Sequence, residues 1–301
     1  MSNTAEEQWT IQKLLEWTTD FFSKSATGNA RLEAEVLLAE ALDCDRIHLY
    51  TRFAEIPEAE PLANFRAWVK RRGAGEPVAY IVGHREFYSL RFSVDSNVLI
   101  PRAETEHVVV AALEAAKELR GVNAPADKPL RIIDIGTGSG CIAVTLATQI
   151  ENCKIAAIDV SEGALTVAKQ NAESHEVSDS IKFFQGDLLD ALPSGSNPVD
   201  MIVSNPPYIG ESEINTIDDQ VKKHEPSIAL FGGEKGTEII ERLVEQAPNF
   251  LLPGGFLIFE TSPIVMDLCV KLVKANPAFA SVEVVKDFGD LQRVVVARMA
   301  N

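Results

Sequence analysis

The 301 residues are 46% hydrophobic and carry a formal net charge of −16, from 44 acidic against 28 basic side chains. A chain of this length and apolar content buries a full core with room for one large domain and one small one, while the acidic surplus disfavours extended binding to phosphate backbones or anionic membranes. Cys44, Cys141, Cys153 and Cys269 lie far apart with no C-x-x-C pair and no histidine at ligand spacing, which implies reduced thiols and no metal site. The start, Met1 to Thr10, is acidic and lacks an apolar leader core, and no later apolar run reaches membrane-spanning length, so a cytoplasmic location is expected.

From Thr10 to about Gly73 the pattern is helical throughout. Ile11, Leu14, Leu15, Trp17, Phe21 and Phe22 form one stripe, and Ala34, Leu37, Leu38 and Ala41 form a second. Asp43 to Arg46 breaks the pattern. Pro57 and Pro61 then set off a last helix over about 62–72 with Phe65, Trp68 and Val69. The pieces predict a bundle of four or five helices whose aromatics are core, with Lys70-Arg71-Arg72 as a solvated helix end. Residues 1–75 are expected to dock a macromolecular substrate.

Gly73, Gly75 and Pro77 open a linker over 76–102, in which residues 86–94 alternate with period two and predict a hairpin. A domain over 103–301 follows. Its first helix starts near Ala103, with Glu104 and Glu106 favourably placed at the positive end of the helix dipole, and runs to about Arg120; 123–128, with Pro125, reads as a loop. Strands are expected at 130–135, 155–159, 181–185, 199–204 and 255–260, with helices at about 140–149, 162–175 and 237–251. Such alternation predicts an α/β fold of parallel strands with helices on both faces. A helix at about 264–275 precedes strands near 282–286 and 293–298, which are too close for a crossover and should form an antiparallel edge hairpin.

Leu130 to Ile135 runs into Gly136-Thr137-Gly138-Ser139-Gly140, and Cys141 to Ala147 is helical. A strand, a glycine loop and a helix start in succession let backbone approach a ligand at the mouth of a sheet. Cys141 stands where the dinucleotide fingerprint needs glycine or alanine, and no G-K-[ST] follows, so neither a pyrophosphate cradle nor a P-loop is expected. Asp159 lies 25 positions after Asp134 (159 − 134), at the second strand's end, where a carboxylate accepts ribose hydroxyls. Asp187 ends the third strand in the same way, placed to meet an adenine amino group with Leu188 over its ring. Asp134 either fixes the loop or receives a cationic part of the ligand.

Asn205-Pro206-Pro207-Tyr208 follows the apolar run Val199 to Val203. Two prolines forbid helix and supply no N–H, so the strand ends extended, with its carbonyls unpaired. Together with the Asn205 amide and the flat Tyr208 ring, this corner could hold and stack a planar group bearing two N–H donors, such as a carboxamide or an exocyclic amine.

On these residues the chain resembles the class I methyltransferases that use S-adenosylmethionine, and among them the HemK-type protein release factor glutamine methyltransferases. The resemblance spans nearly the whole chain through Glu76 to Ile81, Arg85-Glu86-Phe87-Tyr88, Leu99-Ile100-Pro101-Arg102, Thr105-Glu106, Asp134 to Gly140, Asn205 to Ile209 and His224-Glu225-Pro226 with Ala229-Leu230. Asn-Pro-Pro-Tyr is shared with DNA and RNA amino-methylating enzymes; the Arg-Glu-Phe-Tyr and Leu-Ile-Pro-Arg stretches are more specific. The resemblance implies a Rossmann-like domain after a small helical bundle, with S-adenosyl-L-methionine as cofactor. It places the cofactor on Gly136, Thr137, Gly138, Ser139, Gly140 and Asp159, with Asp134 and Asn205 beside it and Asp187-Leu188 bordering the adenine. Asn205, Pro206, Pro207 and Tyr208 then receive the glutamine of a Gly-Gly-Gln loop in peptide chain release factors. Ala103 replaces a usual proline, Thr261-Ser262 stands where a glycine is usual, and Asp287 to Asp290 matches only loosely.

An amide nitrogen is a poor nucleophile and needs placing more than deprotonating, so Asn205 and the Pro206 carbonyl are expected to accept its two N–H groups. No histidine is required; His48, His84, His107, His175 and His224 lack an acid at triad spacing. A DNA or RNA amino-methyltransferase is the nearest alternative, disfavoured by the charge of −16. A non-enzymatic nucleotide-binding module is another, and an NAD-dependent oxidoreductase a weaker one. A monomer without stable nucleic-acid binding is expected.

Overall fold

A computed structural model describes residues 8–24, 29–121 and 128–301. Most of the acidic start and, apart from Lys128, the expected loop at 123–128 lie outside the described residues. The chain divides into two compact units between Gly83 and His84.

The first unit holds α1 (Ile11–Ser23), α2 (Ala30–Ala41), α3 (Arg46–Thr51), α4 (Ala59–Gly73) and α5 (Val78–Val82). Thr10 and Asn29 cap α1 and α2 by accepting the backbone N–H groups of Lys13 and Leu32. Both expected stripes enter one core with Leu49, Phe65, Val69 and Ile81. Two expectations are corrected. Trp17 is 50% exposed, stacked on Phe21 at 5.4 Å between ring centres. Arg72 is buried, because the last turn of α4 meets α2 and Glu33 takes its guanidinium through two hydrogen bonds of 2.9 Å. Arg71 likewise pairs with Glu76.

The second unit opens with the hairpin β1 (His84–Phe87) and β2 (Leu90–Ser93). Its turn residues Tyr88 and Ser89 have φ of 50° and 60°, the two positive values a type I′ turn demands. A 3₁₀ turn, Ala103–Thr105, runs into α6 (Glu106–Arg120). Then come β3 (Leu130–Ile135), α7 (Cys141–Gln149), β4 (Cys153–Asp159), α8 (Glu162–Ser174), β5 (Ile181–Gln185), β6 (Val199–Ser204), β7 (Ile209–Gly210), α9 (Asp219–His224), β8 (Phe231–Gly233), α10 (Glu238–Gln246), β9 (Leu251–Glu260), α11 (Met266–Ala275), β10 (Phe279–Lys286) and β11 (Gln292–Met299).

Seven strands form one sheet in the order β10-β11-β9-β6-β3-β4-β5. The five from β9 to β5 are parallel, and β11 lies antiparallel between β9 and β10 as the expected edge hairpin. Alternate residues of each central strand face opposite cores, which is why those strands are apolar throughout. Ile132, Met201 and Phe256 pack towards the hairpin, α6 and α7; Ile133, Ile202 and Leu257 pack towards α10 and α11. Two boundaries differ most from expectation. Pro248 ends α10 at Gln246 with a 3₁₀ turn, Ala247–Asn249, and β9 starts at Leu251 because Pro253-Gly254-Gly255 is absorbed as an irregularity against β6 and does not end the strand.

Candidate active site

The order of strands creates the site. β3 has β4 on one side and β6 on the other, and the crevice of an open parallel sheet lies at the carboxyl ends of strands where the order reverses. The glycine loop leaves β3 there and Asn205 leaves β6 beside it. Ile135 pairs in register with Ser204, whose hydroxyl donates to the Ile135 carbonyl at 2.8 Å.

Gly136, Gly138 and Gly140 have φ of 66°, 54° and 79°, left-handed values that only glycine adopts cheaply three times in five residues. The Thr137 N–H donates to the Ile158 carbonyl at 2.9 Å, locking the loop to β4. Each oxygen of Asp159 accepts one backbone N–H, from Gly138 and from Ser161, both at 2.9 Å. Burial pushes the Asp159 carboxyl up, opposed by those N–H groups. Its spare lone pairs remain available to a ligand. Asn171, fully buried on α8, donates to the carbonyls of Ser139 and Ser93 and accepts the Ser93 N–H, tying the loop to the hairpin.

Around the loop opens a cavity of about 380 Å³, walled by Gly136 to Ser139, Asp159, Asp187, Leu188 and Asn205 to Pro207. Asp187 is paired there with Arg242 at 2.7 Å, and Leu188 is buried. Three anticipated residues, Asp134, Gly140 and Tyr208, stand outside that wall. Asp134 is fully buried under the loop: one carboxylate oxygen accepts the Thr137 hydroxyl at 2.6 Å and the other has no hydrogen-bond partner. Burial pushes this carboxyl up to about 7. Gly140 is also set back, its Cα facing Ala168, where an added Cβ would come within 3.2 Å of the alanine methyl.

At the diproline corner, the Asn205 Nδ2 donates to Thr105 Oγ1 at 3.0 Å. Tyr208 is not among the cavity-wall residues; its hydroxyl donates to Glu260 Oε1 at 2.9 Å. Glu260 is buried at the end of β9, its second oxygen has no hydrogen-bond partner, and burial raises its affinity for a proton. Behind the corner Gly232 of β8 permits close approach, since a Cβ there would lie 2.5 Å from the Pro207 carbonyl oxygen. No histidine is among the described residues that line the cavity.

Residue reasoning gave no role to the segment after the hairpin. Leu99, Pro101, Arg102 and Thr105 line the cavity, as do Pro226 and Ala229 from the stretch after α9. Glu225, buried, joins the two stretches, accepting the Ile100 N–H at 3.1 Å and the Arg102 guanidinium at 2.5 Å. The only signal for these residues was the family likeness of Leu99 to Arg102 and of His224-Glu225-Pro226.

Residues 13–83 match the family described as PrmC N-terminal domain, and residues 126–294 match a Methyltransferase domain family. The chain is 42% identical over 301 residues to a release factor glutamine methyltransferase of Rhodopirellula baltica, covering the whole of both. It is 40% identical to one of Koribacter versatilis, covering 96% of this chain and 98% of that one. A methyltransferase structure from Pyrococcus furiosus shares the fold, with a TM-score of 0.51 at 17% identity over 79% of this chain and all of that one.

Proposed function

The chain belongs to the release factor glutamine methyltransferases, and we propose that it presents the side-chain amide of a release-factor glutamine, within a Gly-Gly-Gln loop, to a methyl donor on the corner Asn205 to Tyr208. The donor is S-adenosyl-L-methionine, and the chain is an enzyme that methylates release-factor glutamine.

The residues present fit that cofactor. The cavity is of nucleoside-ligand size, its floor is a loop without side chains at Gly136 and Gly138, and Asp159 stands at the second strand end to accept ribose hydroxyls. Asp187 and Leu188 stand at the third, for the adenine. Bound there, the cofactor supplies an electrophilic methyl group.

The rest is work for the chain. A methyl group placed on Gly136 would come within 3.9 Å of the Asn205 backbone oxygen, and this nearness of corner and loop is the observation that carries the reading. Thr105 takes the Asn205 Nδ2, which turns Oδ1 the other way as an acceptor. With the Pro206 carbonyl, it holds the two N–H groups of the substrate amide and aims the nitrogen, an orientation effect that is worth several kcal/mol. Both acceptors strengthen as positive charge develops on that nitrogen. The proton then lost is acidic enough for water to take.

The helical unit serves in this reading to dock the release factor, and the enzyme works in the cytoplasm as a monomer without stable nucleic-acid binding. Removal of residues 1–73 should abolish activity on intact release factor; retained activity would refute docking. The decisive experiment is mass spectrometry of purified release factor after incubation with enzyme and cofactor. One added methyl on the glutamine side chain supports the proposal, and an unmodified factor beside a methylated nucleic acid overturns it.

A further inference from the structure

The turn between β10 and β11 lies on the same rim of the sheet as the diproline corner. β11 runs antiparallel to β9, with Val294 paired to Glu260, and the Thr261 N–H donates to the Arg293 carbonyl at 2.8 Å, so the start of β11 stands at the carboxyl ends of the parallel strands. A second contact places the turn independently. His107, two positions after the Thr105 that takes the Asn205 amide, meets the Phe288 ring at 5.0 Å between ring centres, with the planes at 61°. The turn itself is closely tied. Asp287 Oδ1 accepts the N–H groups of Gly289 and Leu291 at 2.8 and 2.9 Å, its Oδ2 accepts the Arg293 guanidinium at 2.9 Å, and its own N–H donates to the Leu291 carbonyl at 2.8 Å. What this frame presents is apolar. Phe288 is fully exposed, Leu291 in the same turn is exposed, and so is Val110, one turn along α6 from His107.

A lone apolar side chain in water needs no explanation, but a fully exposed aromatic on a rigid turn, with two more apolar side chains near it at the edge of a site, marks an interaction surface. We propose that Phe288, with Leu291 and Val110, receives the apolar surface of the release factor that flanks the target glutamine. This rests on the proposed function and extends its substrate contact. The cavity with Asp159 and Asp187 lies at the ends of β3, β4 and β5, on one side of the corner, whereas β9 and β11 lie on the other. The cofactor fills the first side, so the chain that carries the glutamine leaves over the second. β11 is two strand spacings from β6, about 10 Å, a span that three or four extended residues cover. Residues at that separation from the glutamine meet the Phe288 ring, which gives a large contact area at the cost of fixing only two torsions.

Phe288→Ala removes the ring without touching the core, so the unfolding midpoint followed by circular dichroism should stay where it is. The KM for release factor should rise about tenfold or more, the scale of a lost aromatic anchor. Turnover at saturation and cofactor affinity should change little, because Phe288 lines neither the cavity nor the corner. Phe288→Leu should recover most of the affinity, and Phe288→Asp should lose more than the alanine variant. An unchanged KM in Phe288→Ala, beside a wild type that methylates release factor, would refute the docking role and leave the proposed function standing; a wild type that leaves release factor unmodified would remove that function and this inference with it. A second measurement does not depend on turnover. Enzyme carrying a benzophenone amino acid in place of Phe288, irradiated with purified release factor, should crosslink to the peptide that contains the glutamine. A crosslink to a distant part of the factor, a crosslink only to a second enzyme molecule, or none at all would overturn the inference.

Discussion

Glu225→Ala tests whether the stretch after the hairpin is held in the cavity wall by one carboxylate. The substitution strands the Ile100 N–H, which sits on a buried residue; an unpaired buried donor costs about 1–3 kcal/mol. It also removes the ion pair to Arg102, whose side chain is 36% exposed, so that term is screened down to about 0.5–1 kcal/mol. The total of about 2–4 kcal/mol should lower the unfolding midpoint of the second unit by roughly 4–15 °C at about 2–4 °C per kcal/mol. Glu225→Gln keeps an acceptor for Ile100 and should cost only about 1 kcal/mol. The assay is denaturant unfolding followed by circular dichroism, since Trp9, Trp17 and Trp68 all lie in the first unit and their fluorescence reports that unit alone. Amide exchange at Ile100 should accelerate together with the loss of stability. Cofactor affinity should fall as well, because Leu99, Pro101, Arg102 and Pro226 share the cavity wall. A Glu225→Ala protein within 0.5 kcal/mol of wild type, or one with Ile100 still protected, would show that the clamp holds nothing.

Asn205→Ala should reduce turnover by at least about 10²-fold, as for removal of one group that stabilises transition-state charge, with cofactor still bound by calorimetry; near-normal turnover would discard the amide-holding corner. Gly232→Ala forces a methyl group against the Pro207 and Gly236 carbonyls, both under 3 Å away and both backbone, so the corner must shift and turnover should drop at least about tenfold, measured by methyl incorporation into release factor. The Asp134 carboxyl, pushed up from 3.8 to about 7 in the fold, takes its proton back earlier than the unfolded chain does. The folded state therefore binds more protons between about pH 4 and 7, and the stability from this group is full below about 4 and lost as pH rises to about 7. Unfolding free energies across that window should fall more steeply with pH, by up to about 1.4 kcal/mol per unit, in wild type than in Asp134→Asn; parallel curves would contradict the buried, raised carboxyl.

The parts of this molecule legible in its sequence are those fixed by neighbours along the chain. The parallel strands are apolar on both faces, so their runs stand out, and three glycines after β3 announce a backbone that no other residue adopts cheaply. What could not be read comes from pairs far apart in sequence. Arg72 finds Glu33 across 39 positions, Asn205 finds Thr105 across 100 and Ile100 finds Glu225 across 125. No spacing encodes them, because they meet only after topology has set β6 beside β3 and carried the post-hairpin segment over the crevice. The short α5 was hidden for another reason: five residues between Pro77 and Gly83 are too few to show a helical period. Tyr208 is the instructive case. Read alone, its ring faces a ligand; in the fold its hydroxyl anchors to Glu260. Pro206 and Pro207 bring no N–H, so the corner cannot be held through backbone donors of its own. It is held instead by the side chains at its two ends, Asn205 on Thr105 and Tyr208 on Glu260. A buried hydroxyl and a buried carboxylate thus anchor the two ends of a turn whose middle the prolines made rigid but left without backbone donors.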